Sequence, residues 1–296
     1  MEHAKCLIIG AGPAGLSAAI YTARAGMDTV VAGCEPKIAG DYDIDNYFGF
    51  PETISGRELI TRGKLQAERF GAQLACQRVL AVHMAEDGSF LCKTDKGEYA
   101  AESVIIAAGV ARVRPGIDNI ADYEGKGVSY CVSCDGFFYR GHKVAVVGEG
   151  DYAANQALEL TNFTNDVAIF TQGKAPAMNN GFAAKLEAAG IPVSTAKIAS
   201  LSGDPALAAA RLDDGSEIPL DGLFVAMGQA SALDFAKTLG VTTKGAFIEA
   251  DHEQKTNVPG VFAAGDCVGH FMQISVAVGE GAKAGRAAIA HVKERG

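Results

Sequence analysis

Apolar and small residues alternate along this chain in a fixed order. The apolar run Cys6–Ile9 is followed by a glycine turn, and residues 13–25 then carry Ala-rich sequence of helical type. A second apolar run, Thr29–Ala32, comes next. A buried strand, a tight turn, a helix and another strand open a βαβ unit. Lys143 to Leu160 repeats the order (KVAVVGEGDYAANQALEL), with a strand predicted at 166–170. The units also close alike. Gly97–Gly109 matches Gly215–Gly228, each a polar arm followed by an apolar strand ending in small residues and Gly, and Val261–Asp266 ends in the same way. The first unit therefore resumes after the second, with crossovers expected near Arg112–Gly116 and Lys244–Ala246.

Composition narrows the picture. Of 296 residues 36 are Gly, well above the usual ~7% share, so tight turns and close helix packing are built into the chain. An apolar fraction of 48% excludes wholesale disorder, and a net charge of −9 argues against a nucleic-acid binder. The uncharged run from Cys6 to Ala23 has the look of a leader or membrane helix, but Gly10, Gly12, Pro13 and Gly15 interrupt it. The expectation is a cytoplasmic protein with no membrane span. Seven Cys in a chain of this length do not make a disulfide scaffold, and the odd number leaves at least one thiol unpaired.

The chemistry sits at three places. Gly10-Ala11-Gly12-Pro13-Ala14-Gly15 fits G-x-G-x-x-G between a strand and a helix, where backbone amides and the helix N-terminus take a pyrophosphate. Glu35, after the second strand, can accept ribose hydroxyl bonds. A helix packed closely on a sheet is the plainer explanation of those glycines. Gly148-Glu149-Gly150-Asp151-Tyr152-Ala153 fits G-x-G-x-x-A, yet two carboxylates stand where an anion would bind, and Thr171-Gln172-Gly173 offers neither Arg nor acid for a ribose. Lys174 is the only cation nearby. The third place is Cys131-Val132-Ser133-Cys134-Asp135. Two thiols at this spacing can close a small disulfide ring, with Asp135 as a proton donor and acceptor or simply a turn acid. Zinc needs a second ligand pair, and Cys6, Cys34, Cys76, Cys92 and Cys267 are scattered singly, so no metal is expected. The fold class these features predict is α/β, with two nested Rossmann-like, three-layer ββα dinucleotide-binding domains. Residues 1–114 with 246–296 form one and 115–245 the other, which carries the Cys pair.

Together these residues resemble the low-molecular-weight thioredoxin reductase family, over nearly the whole chain. Asp45-Asn46-Tyr47-Phe48-Gly49-Phe50-Pro51 resembles the family's E-N-Y-P-G-F-P segment, and Val261–Asp266 its F-A-A-G-D flavin motif. The resemblance implies FAD in the first domain. It implies that Gly10, Gly12, Pro13, Ala14 and Gly15 hold the pyrophosphate and Glu35 the adenosine ribose. Asn46 would lie along the flavin, Asp266 would bond the ribityl or phosphate region, and Gln273 and Ile274 would stand beside the isoalloxazine. It also implies a homodimer. Members that use NADPH carry H-R-R where this chain has Thr171-Gln172-Gly173, and G-G-G-[DN]-[ST]-A where it has G-E-G-D-Y-A. The tail is similar to that of a branch in which some members take electrons from ferredoxin.

The function expected is a flavin-dependent disulfide reductase passing electrons through FAD to a Cys131–Cys134 disulfide and on to thioredoxin. A ferredoxin-type donor is favoured over NADPH. In this scheme Cys134 lies nearer the flavin and Cys131 exchanges with the partner. Arg112, Arg114, Arg140 and Lys143 flank the crossovers as candidate partner contacts. The alternatives are a conventional NAD(P)H-dependent reductase, a small-molecule dithiol oxidase and a non-enzymatic flavin redox sensor.

Overall fold

The computed structural model describes residues 1–40, 43–110, 114–130, 132–228 and 230–295, without the side chains of Ser133 and Cys134. The chain divides into two compact units, Met1–Ala111 with Ser231–Gly296, and Arg112–Ala230. The nested order follows the internal repeat. The return crossover does not: it falls at Ala230–Ser231 and not at Lys244–Ala246. Strand Thr243–Lys244 pairs antiparallel with Phe247–Ile248 around Gly245, whose φ is +59°. What reads as a crossover is thus a hairpin inside the first unit. Before it, helix Ala232–Thr238 opens with a Ser231–Asp234 capping box and packs on strand Val79–Met84 of that unit.

The first unit is built on a seven-stranded sheet. Gln73–Ala75, Thr29–Ala32, Glu2–Ile9 and Glu98–Ile106 run parallel in that spatial order. The free edge of Glu98–Ile106 is shared. Its first half pairs antiparallel with Phe90–Thr94, which pairs with Val79–Met84, and its second half pairs parallel with Val261–Ala263. The central strands are apolar on both faces because helices cover them. Cys6, Ile8, Val31, Ile105 and Phe262 share one core with Ala14, Ala18, Ala284 and Ala288.

Two helices, Pro13–Arg24 and Ile274–Arg295, cross on that core at backbone contact distance. A Cβ on Gly281 would collide with the Ala14 carbonyl, and one on Gly285 would stand 2.9 Å from the Ala18 carbonyl oxygen. The Ser17 hydroxyl donates to the Val278 carbonyl at 2.7 Å across the same contact. Among the described residues no helix is long and apolar enough to cross a membrane.

The second unit repeats the plan. A five-stranded parallel sheet runs Val193–Ser194, Val167–Phe170, Val144–Val147, Gly222–Val225, Val128–Ser129. A separate antiparallel sheet holds Ile198–Ser202, Ala209–Leu212 and Glu217–Pro219. Ala145, Val147, Ile198, Leu201, Ala210 and Leu223 form its core.

The helix crossing yields a paired expectation. Gly281→Ala should lower stability by about 1–3 kcal/mol, because backbone must move to admit the methyl group. Gly279→Ala, two residues away in the same helix and facing open space, should be neutral or raise stability by about 0.5–1 kcal/mol. Urea unfolding of the two variants checks this, and equal midpoints would remove the crossing as a constraint.

Candidate functional site

The first glycine turn is shaped by close approach. Gly10 has φ +114°, and a Cβ there would strike the Ala107 carbonyl; a Cβ on Gly15 would strike the carbonyl of Gly10 itself. Gly12 caps the helix with φ −82° and ψ −177°, Pro13 opens it, and no side chain accepts from its first-turn amides. Those N–H groups and the positive helix end face outward from the carboxyl ends of parallel strands, the usual place for a dinucleotide phosphate. Gly33 is held there too, since a Cβ on it would stand 2.8 Å from the Ala11 nitrogen. The chain therefore leaves strand Thr29–Ala32 beside the turn, and the exposed Glu35 follows two residues later.

Asp266 starts from the same place. Gly265, with φ +82°, is pressed so closely on Ala14 that a Cβ would come within 2.9 Å of the Ala14 Cβ. Asp266 is half-buried, and no hydrogen-bond partner of its carboxylate occurs among the described residues. Burial first, and the neighbouring Glu280 second, hold its pKa above the ordinary carboxylate value. Such a carboxylate suits a ligand hydroxyl.

Glu280 was not singled out from sequence. Its buried carboxylate accepts from the Gly265 amide at 2.7 Å, and its other oxygen lies 2.6 Å from His270 Nδ1. It thereby fixes the backbone that carries Asp266. The available signal was a lone acid inside the small-residue run VGEGAKAG. Asn46 and Gln273 meet directly, the Asn46 amide donating to Gln273 Oε1 at 3.0 Å, and Ile274 begins the last helix. Gly10, Gly12, Pro13, Ala14, Gly15, Glu35, Asn46, Asp266, Gln273 and Ile274 thus all lie in the first unit.

The second glycine turn has the same frame with different contents. Gly148 must lack a side chain, for a Cβ would strike the Ala226 carbonyl. Glu149 Oε1 takes a 2.5 Å bond from Lys174 Nζ, while Glu149 Oε2 is buried without a partner among the described residues. The Ala177 amide donates to the Glu149 carbonyl at 2.7 Å. Asp151, read from sequence as a repelling charge, is instead a buried acceptor. It takes the Asn179 amide at 2.7 Å and the Asn179 Nδ2 at 3.1 Å. Segment 174–179 therefore lies across the turn. Gln172, with φ +53°, points its amide inward, donating to the carbonyls of Pro115 and Ile198 and accepting from the Ile198 amide at 2.7 Å. Segment 174–179 is thus hydrogen-bonded to the turn at both Glu149 and Asp151.

Cys131 and the Cys134 side chain lie outside the described residues. Val132–Asp135 is a helical turn, and Asp135 Oδ2 accepts from the Ser129 hydroxyl at 2.5 Å. Burial, and then Asp135, push the Tyr139 pKa up. Phe137 and Phe138 stand 63% and 73% exposed, with Arg140 over the Phe137 ring at 5.2 Å. Of the other candidate cations, Arg112 is outside the described residues and Lys143 lies 3.9 Å from Asp166. Two of the cysteines read as solitary are joined: Cys34 and Cys76 form a disulfide. Strand pairing brings them together across 42 residues, a neighbourhood that spacing alone does not reveal. Cys6, Cys92 and Cys267 are buried thiols. Among the described residues no group of three or more His, Cys, Asp or Glu gathers to hold a metal.

Fold and site thus define a two-unit dinucleotide-binding oxidoreductase framework with a Cys-x-x-Cys segment in its inserted unit. The chain belongs to the pyridine nucleotide-disulphide oxidoreductase family, whose model matches residues 4–281. It is 33% identical to the thioredoxin reductase of Streptomyces coelicolor, over 94% of this chain and 90% of that protein. It is 34% identical to the thioredoxin reductase of Aquifex aeolicus, with the same coverage. Among solved structures it is 65% identical to the atypical thioredoxin reductase TRi from Desulfovibrio vulgaris Hildenborough, with TM-score 0.97 and 98% of each chain covered. A ferredoxin-flavin thioredoxin reductase from Clostridium acetobutylicum is 28% identical, with TM-score 0.71, 100% of this chain and 99% of that one covered. The chain is a thioredoxin reductase-type flavin disulfide reductase, with FAD as its cofactor. The open first glycine turn and the unpartnered Asp266 fit that group.

Asp266 gives a prediction with a sign. An acid whose folded pKa is raised costs nothing below its ordinary pKa and destabilises fully above the raised one. Asp266→Asn should therefore melt higher than the parent near pH 7.5 in the FAD-free state, with the gain vanishing near pH 3.5. Its FAD affinity should fall by about 5- to 30-fold, the loss of a charged hydrogen bond of ~1–2 kcal/mol. Unchanged affinity in a flavin titration would take Asp266 out of the site.

Proposed function

We infer that this protein reduces the disulfide of a thioredoxin-like partner with electrons from a one-electron protein donor of the ferredoxin type, without using NADPH. The observation that carries the choice of donor is the second glycine turn, where Lys174, Ala177 and Asn179 are bonded to Glu149 and Asp151 and no arginine follows Phe170. The likeness to a ferredoxin-flavin thioredoxin reductase supports the same reading.

In this scheme Gly10, Gly12, Pro13, Ala14 and Gly15 hold the FAD pyrophosphate through backbone amides, Glu35 accepts from the adenosine ribose, and Asp266 accepts from the ribityl or phosphate region. Asn46, Gln273 and Ile274 line the ring. Bound FAD supplies the conversion between single electrons and the electron pair that a disulfide takes. The Cys131 thiolate attacks the partner disulfide, forming a mixed disulfide and releasing one partner thiol. Cys134 then attacks the Cys131 sulfur, the second partner thiol leaves, and the Cys131–Cys134 bond re-forms. Asp135, which accepts from the Ser129 hydroxyl, serves as the acid–base group beside the exchange in this scheme. Phe137 and Phe138 offer the partner an exposed apolar contact beside the dithiol. The chain works as a homodimer in this reading.

Donor choice is tested by anaerobic mixing. Micromolar NADPH or NADH should leave the flavin absorbance unchanged over seconds, whereas reduced ferredoxin should bleach it. Full bleaching by NADPH within milliseconds overturns the reading and returns the protein to nucleotide use. Cys131→Ser and Cys134→Ser should each abolish partner reduction while FAD stays bound, because a single thiol cannot resolve the mixed disulfide. Near-normal turnover of either variant would mean that the active disulfide lies elsewhere.

A further inference from the structure

The chain holds a second sulfur pair that partner reduction does not use. Cys34 and Cys76 are bonded to each other within the first unit. They follow the neighbouring parallel strands Thr29–Ala32 and Gln73–Ala75, which run in register with Ala32 opposite Ala75. The Gly33 amide donates to the Ala75 carbonyl at 3.0 Å as the last rung, and the disulfide lies one residue beyond it. It ties together two loops at the carboxyl edge of the sheet. One of these loops runs straight into Glu35, whose carboxylate has no partner of its own among the described residues.

The two residues differ in exposure. Cys34 is half-buried and Cys76 is exposed, so the pair is reachable from solvent. We propose that Cys34–Cys76 is a second thiol–disulfide exchange site, opened by dithiols, and that opening it loosens the grip on the adenosine end of FAD. The dithiol class includes the reduced thioredoxin-like product of the enzyme itself, so accumulated product would act back on the flavin site. One thiolate of the dithiol attacks the Cys76 sulfur and Cys34 leaves as a thiol. The second thiol of the reagent attacks its own mixed sulfur, Cys76 leaves as a thiol, and the reagent departs as a disulfide. Two electrons and two protons pass from the dithiol to the two cysteines.

The physical coupling is preorganisation. A closed ring restricts the Cys34–Glu35 loop, so Glu35 stands ready for the ribose at little ordering cost. With the ring open, the Gly33–Ala75 rung still pairs the strands, but Cys34 and Glu35 beyond it gain freedom that FAD must remove on binding. The inference rests on placing the adenosine at Glu35.

The test uses FAD-loaded Cys131→Ser/Cys134→Ser protein, so that a dithiol meets only the other disulfide. Cys6, Cys92 and Cys267 are buried, with thiol pKa values pushed up to about 12, so alkylation of the native protein counts Cys34 and Cys76 alone. Graded dithiothreitol, and then reduced thioredoxin, should expose two thiols and speed FAD release about 3- to 10-fold by recovery of flavin fluorescence, reversibly on reoxidation. Cys34→Ser/Cys76→Ser should release FAD at the faster rate with or without dithiol. Two thiols already free before treatment, a disulfide that survives excess dithiol, or opening with unchanged FAD release would each overturn the proposal. Glu35→Lys separates the premise: unchanged FAD affinity there removes the adenosine from Glu35 while the thiol counts still report the exchange.

Discussion

Backbone contact at the first glycine turn governs the rest of this molecule. Gly10 lies against Ala107, Gly15 against Gly10, Gly265 and Gly281 against Ala14, and Gly33 against Ala11. No added side chain fits at these points, so two helices and four strand ends meet at backbone contact distance. The same contacts leave the amides after Gly12 without a side-chain cap and deliver Glu35 and Asp266 to one turn. Core packing and the proposed cofactor contacts therefore share residues here. A substitution that relieves one damages the other, and Glu280 shows the link directly by fixing the Gly265 amide from the helix that packs on Ala14.

The inserted unit separates the two demands. Its Gly148 is required for packing against Ala226, just as Gly10 is for Ala107. Yet its turn is spanned by Glu149–Lys174 and Asp151–Asn179 contacts. The fold keeps the glycine because strand and helix cannot otherwise approach, whether or not a phosphate follows. This is why a glycine pattern reports architecture more firmly than it reports a ligand.

Much of the architecture was legible because it rests on local pattern. Strand Thr29–Ala32 was read to the residue, and the helix after Gly12 to within one, since apolar runs and glycine punctuation are local signals. The return crossover was misplaced because a Gly245 hairpin and a domain boundary carry the same turn chemistry, and only packing of Ala232–Thr238 tells them apart. The candidate site is legible in the sequence as far as a motif marks it, at Gly10–Gly15, Glu35 and Asp266. It was illegible where partners come from distant sequence. Cys34 with Cys76, Glu280 with Gly265, and Asp151 with Asn179 are pairings that registers and loops create, and no residue in either member announces the other. Asp151 is the instructive case. Its position is that of a charge repelling an anion, but its buried carboxylate is spent on the strap that covers the turn.

That difference changes what nucleotide use would require. If charge alone kept a nucleotide away, arginines after Phe170 and a neutral residue at 149 would suffice to admit it. In the proposed reading segment 174–179 covers the turn, and a nucleotide would have to displace it first. Pulling Asn179 from Asp151 strands a buried carboxylate, which costs roughly 1–3 kcal/mol or more for a charged group. Replacing Gln172 by Arg removes the amide that ties Pro115 and Ile198 to the strand end, before any new contact with a phosphate forms. An NADP 2′-phosphate held by Arg returns about 1.5–3 kcal/mol per charge-assisted bond, a sum of the same size as the losses. Segment 174–179 is therefore a packed element of the unit, held by its own hydrogen bonds. In the proposed reading electrons enter by a route that leaves this segment in place, and a protein donor that gives up electrons without binding in that cleft meets the condition.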